Sequence, residues 1–173
     1  MFIVIPIERI EYNAIQYGEK VQNVVMNNSS FVKLYYSESN VVINGLFIQV
    51  IFNDVNVKQL DNYTKIFFKQ NEEYNRILER LDELETTILK KYEERFNPIQ
   101  KTLMTRSGTN KPIRKVPVLK LRQQFERSYL KVNYNIENRT TMRLLIKISG
   151  LWITDTEYGI TYKFIPVEEL TMT

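Results

Sequence analysis

The stretch from Arg143 to Ile165 constrains the fold more than any other, because its pattern predicts two β-strands joined by a short polar turn. The first run, Leu144 to Ile153, is β-branched and apolar, which is typical of a strand. The second run, Ile160 to Ile165, alternates in side-chain polarity with a period of two residues. The turn between them ends at Gly159, which we expect to supply a left-handed backbone conformation. The rest of the chain is expected to pack around this hairpin.

Further strands are predicted along most of the chain from similar alternation and from turn residues that separate the runs. The long run Val41 to Phe52 contains Gly45, and an internal glycine often marks a bulge or a sharp bend, as barrel corners require. The segment Asp54 to Asp61 is predicted to be a loop. The predicted strands outside the final hairpin are Phe2 to Ile10, Val21 to Met26, Phe31 to Tyr36, Val41 to Phe52, Tyr63 to Lys69, Ile99 to Thr105, Lys115 to Arg122 and a run within Phe125 to Asn135.

One long helix is predicted from about Glu72 to Phe96, where apolar side chains recur at steps of three and four residues. Asn71 is a suitable N-cap, and Glu72 and Glu73 lie where the helix dipole favours negative charge. Asn97-Pro98 ends the helix. The apolar face predicts a helix lying on a sheet or closing the end of a barrel. The alternative is a coiled-coil seam between copies.

The lack of two residue types excludes several functional classes. The 173 residues include no Cys and no His, so disulfides, thiolate zinc sites, cysteine nucleophiles and histidine-based triads are unavailable.

We expect a single domain over residues 1–173, with no cofactor, no metal and no catalytic residue. A nuclease with carboxylate-held Mg²⁺ is a third interpretation. It would use acidic residues whose spacing indicates no specific site, namely Asp54, Asp61, Asp155 and Glu157.

Positive charge is concentrated in one segment of the chain. Residues 97–147 carry 12 Lys/Arg and 2 acidic residues, a net charge of +10, whereas the net charge of the whole chain is only +4. The other residues therefore carry a net charge of −6. A basic segment on an otherwise acidic domain points to a polyanionic partner.

Basic residues recur beside aromatic or polar residues on the predicted outer faces of separate strands. The pairs are Lys33 with Tyr35, Lys120 with Arg122, Tyr129 with Lys131, Lys147 with Ser149, and Lys163 with Thr161. Cations follow a phosphate backbone, and flat rings stack on unpaired bases at roughly 1–3 kcal/mol per base. Any single pair is better explained as an ordinary solvated strand face, but the repetition across strands predicts a nucleic-acid-binding surface.

Two features leave alternatives open. Strict alternation places Trp152 on one face with Ile146 and Ile148, in the core, but a bulge at Gly150 would turn the indole outward to stack on a base. The loop Arg106 to Arg114 is either an arm that clamps a strand or a solubilising loop. The candidate nucleic-acid-binding residues are Lys33, Tyr35, Arg106, Lys111, Arg114, Lys115, Lys120, Arg122, Tyr129, Lys131, Lys147, Trp152 and Lys163.

The C-terminal run LLIKISGLWITDTEYGITYKF resembles the signature of small single-stranded DNA-binding proteins of large DNA viruses. In that group, a K-I-S-G-hydrophobic run is followed by a turn and by G-hydrophobic-T-Y-K-F. Upstream, LYYSESNVVINGLFIQVIF followed by a charged helix is similar to the same group, and the whole is similar to phage-type single-strand binding proteins. The resemblance implies an OB-fold-like barrel and sequence-independent single-strand binding in viral replication or recombination. It marks as motif positions Lys147, Trp152, Tyr158, Tyr162 and Lys163.

We therefore expect a mainly β fold (β+α), an OB-fold-like antiparallel β-barrel with one long amphipathic helix at about 72–96. The expected function is non-catalytic coating and protection of unwound single-stranded DNA, with RNA as an alternative ligand. Homo-oligomers on DNA and contacts with replication proteins are further expectations. The alternative is a structural or scaffolding viral protein that self-associates through the 72–96 helix.

The N-terminus and the hydropathy of the chain bear on where it acts. The apolar N-terminal run is broken by Pro6 and has no basic region before it, unlike a signal peptide. No window approaches the roughly 20 apolar residues of a membrane span. We therefore expect an intracellular protein, in the host nucleus or a viral replication compartment, that is neither secreted nor membrane-bound.

Overall fold

The computed structural model describes residues 3–38, 40–96, 115–127, 129–133, 135–137 and 139–167. The strands are β1 (Ile5–Pro6), β2 (Ile15–Gln22), β3 (Ser30–Glu38), β4 (Val41–Asn44), β5 (Leu46–Asn53), β6 (Val55–Leu60), β7 (Tyr63–Phe68), β8 (Val116–Pro117), β9 (Tyr129–Val132), β10 (Thr141–Ile153) and β11 (Glu157–Val167). The helices are α1 (Glu72–Phe96), α2 (Leu121–Glu126) and two 3-10 turns, Ile7–Arg9 and Tyr12–Ala14. The prediction of a mainly β protein with one long helix is confirmed.

Strand β10 is the centre of an eight-stranded sheet. It pairs antiparallel with β11 along one edge, and along the other edge first with β5 and then with β3. Strands β2 and β4 pair with β3, while β1 and β8 add in parallel to β5 and β11. Strands β6, β7 and β9 form a separate three-stranded antiparallel sheet. The predicted final hairpin is therefore confirmed, and the larger sheet is built on it.

The two sheets share one core without forming one barrel. Among the described residues, no hydrogen-bonded ladder joins them, so the predicted closed barrel is not confirmed. Their buried faces are joined by an aromatic cluster of Phe52 from β5, Phe68 from β7, Tyr74 from α1 and Phe125 from α2. Ring centroids lie 4.5 Å apart for Phe52 and Phe68, and 5.4 Å apart for Phe52 and Phe125. The sheets are thus held together by side-chain packing.

Helix α1 has the predicted bounds and packs against this core. Asn71 caps it as predicted, since its side-chain oxygen accepts a hydrogen bond from the Tyr74 backbone N–H at 2.8 Å. The hydroxyl of Tyr17 in β2 donates to the carbonyl of Ile88 at 2.6 Å and ties the helix to the large sheet. The buried apolar residues of α1 are Tyr74, Ile77, Leu78, Leu81, Leu84, Ile88, Leu89 and Tyr92. The stripe that a coiled-coil seam would need is therefore packed inside this chain.

A bend and a bulge lie side by side at the centre of the large sheet. The run Val41 to Phe52 bends at Gly45, whose φ of +88° is one that residues with a Cβ rarely adopt. A Cβ there would also lie 2.9 Å from the carbonyl oxygen of Ile148. Next to the bend, the pairing of β10 with β11 slips between Ile148 and Gly150. This is where β10 leaves β5 and begins to pair with β3.

Several local predictions are wrong. Asp54 to Asp61 is not a loop, because Val55–Leu60 forms β6 and pairs with β7 along its whole length. The run Lys115 to Arg122 is a strand only at β8, because α2 begins at Leu121. Gly159 does not adopt a left-handed conformation; it lies within β11.

The N-terminal boundaries also differ from the prediction. Only Ile5–Pro6 of the run Phe2 to Ile10 is a strand, and a 3-10 turn follows it. The second strand begins at Ile15 and ends at Gln22, so it covers little of Val21 to Met26. The predicted strand Ile99 to Thr105 lies outside the described residues.

Candidate nucleic-acid interface

The bulge in β10 turns Trp152 to the outer face of the eight-stranded sheet. Before the bulge every second residue of β10 is buried, from Met142 to Ile148; after it, the buried residues are Gly150, Leu151 and Ile153. The extra residue moves the alternation by one position, so Trp152 is half-buried and lies opposite Phe31 of β3. Of the two alternatives left open by the sequence, the core position is wrong and the outward position is confirmed.

Gly159 provides the space in which the indole lies. It is the cross-strand neighbour of Trp152 in β11. A Cβ at this position would lie 2.7 Å from Cζ2 of the indole and 2.9 Å from its Cε2. The glycine is needed for this close approach, in which an aromatic ring covers a strand glycine. On the same ring, the Nζ of Lys120 lies 5.6 Å from the centroid, within cation–π range.

The position of Lys120 is fixed from the core by Glu85 of α1. The backbone N–H groups of Lys120 and Leu121 donate to the two carboxylate oxygens of Glu85, at 3.1 and 2.8 Å. The Tyr162 hydroxyl donates to the Lys120 carbonyl at 3.4 Å. Burial raises the pKa of the Glu85 carboxyl, although the two N–H donors act in the opposite direction. Burial and the charge of Glu85 raise the pKa of Tyr162 to about 12.

Three more of the candidate lysines lie on the same outer face. Lys147 of β10 is directly opposite Lys163 of β11, and Lys33 of β3 is opposite Gly150. Tyr35 lies two residues after Lys33 on the same side of β3 and is half-buried. None of these lysines forms an ion pair within the described part of the chain. We call the surface formed by Lys33, Tyr35, Lys120, Lys147, Trp152 and Lys163 the tryptophan face.

Two candidate residues lie on the other sheet instead. Tyr129 and Lys131 are on the outer face of the three-stranded sheet, in β9. The Nζ of Lys131 lies 3.9 Å from the ring centroid of Tyr63, and the Nζ of Lys65 lies 4.3 Å from that of Tyr129. The residues predicted as one binding surface are therefore divided between two.

The remaining candidates do not join either surface. The Arg122 side chain is paired with Glu126 of α2 at 3.0 Å. The Nζ of Lys115 donates to the carbonyl of Thr154, in the turn between β10 and β11, at 2.5 Å. Burial lowers the pKa of Lys115, and the positive charge of Lys20 acts in the same direction. The candidates of the predicted arm, Arg106, Lys111 and Arg114, lie outside the described residues.

Two further aromatic residues adjoin the tryptophan face and were not among the candidates: Phe31 is half-buried, and Phe47 is buried beneath the face. Phe31 lies opposite Trp152, and its alternation with Lys33 is a signal that the sequence already contains. Phe47 of β5 lies opposite Lys147, whose Nζ is 5.1 Å from the ring centroid. Phe47 stands in a continuous apolar run, so no alternation distinguishes its outer position from the core positions beside it.

The described residues lack a cluster for a metal ion and a helix suited to a membrane. They contain no group of three or more acidic side chains that could hold a metal ion. Of the acidic residues weighed for a nuclease, Asp54 forms an ion pair with Lys69 at 3.3 Å. In the same part of the chain, no helix combines the length and the apolar character that crossing a membrane requires.

Comparison with protein-family models, with curated proteins and with solved structures gives no match. The resemblance to viral single-strand binding proteins thus depends on the motif positions alone, and the structure separates these into two groups. Lys147, Trp152 and Lys163 lie on the tryptophan face, whereas Tyr158 is buried and Tyr162 packs against the core.

Proposed function

We propose that this protein binds single-stranded DNA without sequence specificity, and that it coats and protects unwound DNA during viral replication or recombination. The observation that carries the proposal is the indole of Trp152, which the β10 bulge turns outward into a group of lysines without carboxylate partners among the described residues. Three of those lysines extend from the indole across β3, β10 and β11, namely Lys33, Lys147 and Lys163.

The chemistry of this surface suits an unpaired strand better than a duplex. The indole can stack on one base, and each such contact is worth roughly 1–3 kcal/mol whatever the base. In a duplex the base faces are already stacked, so only the lysine–phosphate contacts remain. Lysine is a flexible point charge without the rigid donor fork of arginine, which favours sequence-independent binding to phosphates.

An OB-like arrangement remains part of the proposal. It is supported by the bend at Gly45, which barrel corners require, and by the long helix α1, which lies between β7 and β8 in chain order. A crystal structure with oligo-dT would test whether the sheets close into a barrel in the bound protein. The scaffolding alternative receives no support from α1, because the apolar stripe of that helix is packed within the chain.

Fluorescence anisotropy tests the proposal directly. A labelled oligo-dT, an RNA of the same length and a DNA duplex are titrated with the protein at several salt concentrations. We expect the tightest binding to oligo-dT, a log–log salt slope that reports several neutralised phosphates, and quenching of Trp152 fluorescence. Equal, weak and salt-erased binding to all three ligands would mean that the surface is only a generic polyanion binder. Light scattering on the same samples tests for oligomers on DNA.

A matched pair of triple variants localises the binding. Changing Lys33, Lys147 and Lys163 to Gln should reduce the magnitude of the salt slope by about 2, because each phosphate contact on a single strand contributes about 0.7. The control changes three exposed cations of α1, namely Arg76, Arg80 and Lys90, to Gln. The control removes the same formal charge and should leave the slope near that of the wild type. Equal loss in both variants would refute the assignment to the tryptophan face.

A further inference from the structure

The outer face of the three-stranded sheet carries a row of lysines that the sequence did not reveal. Lys58 of β6 is directly opposite Lys65 of β7, and Lys65 is directly opposite Lys131 of β9. The residues that flank Lys65 and Lys131 in their strands, such as Ile66 and Leu130, are buried on the other face. Adjacent strands are about 4.8 Å apart, so the three ammonium groups extend from one short line across the sheet.

This arrangement is unfavourable in the free protein. Like charges directly opposite each other on neighbouring strands repel. In the part of the chain that the structure describes, Lys58, Lys65 and Lys131 have no carboxylate partner that would offset the repulsion. Two of the three charges are instead placed over rings, with Lys65 above Tyr129 and Lys131 above Tyr63. A polyanion would supply the missing counter-charge.

The rings beside the row add a second kind of contact. Tyr63 and Phe67 flank Lys65 in β7, and Phe67 packs against Tyr129 with ring centroids 5.6 Å apart. All three rings are half-buried and lie on the same outer face as the lysines. Lysines that alternate with aromatic rings on one sheet face combine phosphate binding with base stacking.

The lysine row is connected to the tryptophan face through an open cleft. The cleft has a volume of about 570 Å³ and lies between the end of β9 and the edge of β11, lined by Lys131, Val132, Asn133, Lys163 and Phe164. Lys163 is the cross-strand neighbour of Lys147 on the tryptophan face. Positive charge therefore continues from Lys147 through Lys163 and across the cleft to Lys131.

We propose that the outer face of the three-stranded sheet is a second contact surface for the same single strand, reached from the tryptophan face across this cleft. In this arrangement Lys58, Lys65 and Lys131 bind phosphates, and Tyr63, Phe67 and Tyr129 provide stacking surfaces for bases. The inference rests on the proposed single-strand binding and extends it: one protomer contacts a longer stretch of nucleic acid than the tryptophan face alone can cover.

The length of the oligonucleotide and the reactivity of the lysines test the inference. Lysine acetylation is measured by mass spectrometry in the free protein and with oligo-dT of about 6 and about 30 nucleotides, since a site on one small β-domain covers roughly 4–16 nucleotides. We expect the long oligonucleotide to protect the lysines of both faces and the short one to protect mainly Lys33, Lys147 and Lys163. The inference would be overturned if Lys58, Lys65 and Lys131 were as reactive with the long oligonucleotide as in the free protein.

A variant of the row gives an independent measurement. Lys58→Gln/Lys65→Gln/Lys131→Gln should reduce the magnitude of the salt slope by about 2 on the long oligonucleotide and leave binding of the short one near wild type. A wild-type slope and length dependence in this variant would refute the second surface while leaving the first intact. Failure of the wild-type protein to bind any oligonucleotide would refute both. The acetylation experiment uses the wild-type protein, so it tests the second surface even if the triple variant does not fold.

Discussion

The contact between Trp152 and Gly159 can be tested by adding a single methyl group. In Gly159→Ala, the new Cβ would lie 2.7 Å from Cζ2 and 3.0 Å from Nε1 of the indole. Carbon atoms pack at about 3.5–4.0 Å, so the indole must move by roughly 1 Å or the strand must shift. Overpacking of this kind typically costs about 1–3 kcal/mol. We expect this loss in the free energy of unfolding, which for a chain of this size lowers Tm by about 2–4 °C per kcal/mol.

A double-mutant cycle separates the indole from other causes. In a Trp152→Ala background the three atoms nearest to the new methyl group are absent, so Gly159→Ala should be nearly neutral. The coupling energy should then equal most of the 1–3 kcal/mol, within the ~0.5–3 kcal/mol found for contacting residues. Gly18→Ala is a milder control, since its Cβ would meet only the end of the Tyr35 ring at 3.0 Å. Urea unfolding monitored by circular dichroism measures all four proteins of the cycle. If Gly159→Ala costs as much without the indole as with it, the account of this glycine is refuted.

Three further changes have defined outcomes. Glu85→Gln places an amide NH₂ against a buried N–H, so urea unfolding should report a loss of about 1–3 kcal/mol. Burial raises the pKa of Glu85 in the folded state above its value in the unfolded state. The free energy of unfolding of the wild type should therefore fall as pH rises through the interval between these two pKa values. Glu85→Gln should lack this part of the pH dependence. Lys120→Met removes the cation–π contact with Trp152, so it should cost about 0.5–1 kcal/mol of stability, and it should reduce the magnitude of the salt slope for oligo-dT by about 0.7. Tyr17→Phe removes the hydrogen bond to the Ile88 carbonyl and should cost about 0.5–1.5 kcal/mol, measured by urea unfolding.

The long periodic elements could be predicted from the sequence because each follows one pattern over many residues. The bounds of α1 follow from a period of 3.6. The strand β3 and the final hairpin follow from a period of 2, although their strands extend beyond the predicted bounds. The bend at Gly45 follows from the cost of φ > 0 for any other residue. Local predictions are wrong where a residue distant in sequence determines the secondary structure. Glu85 accepts hydrogen bonds from the backbone N–H groups of Lys120 and Leu121, where α2 begins, so the predicted strand does not continue to Arg122.

The candidate site could be predicted less completely, because it depends on how strands are arranged in space. Alternation identifies which side chains share a strand face, and this is how Lys33 and Lys131 were found. It does not reveal that Lys33 and Lys131 lie on different sheets. A loop over Asp54 to Asp61, as the sequence predicts, would give Lys58 no cross-strand neighbour, whereas β6 places it opposite Lys65. The lysine row becomes visible only from the register of β6, β7 and β9.

Repulsion within the lysine row of Lys58, Lys65 and Lys131 should lower the stability of the free protein and favour binding of a polyanion. Lys65, the middle residue of the row, makes this effect measurable. Lys65 has a like charge on each side, whereas Lys58 has one such neighbour. Each pair of opposed lysines lowers the free energy of unfolding by up to about 1 kcal/mol at low salt. The cation–π contact of Lys65 with Tyr129 offsets roughly 0.5–1 kcal/mol of this loss.

Salt screens repulsion between exposed charges, so the Tm of the wild type should rise between low and high salt by more than the Tm of Lys65→Gln does. The same variant should bind oligo-dT more weakly. Differential scanning calorimetry at two salt concentrations gives the first quantity, and anisotropy gives the second. An identical salt response in the two proteins would mean that the three lysines do not repel one another, and that the row creates no electrostatic demand for a polyanion.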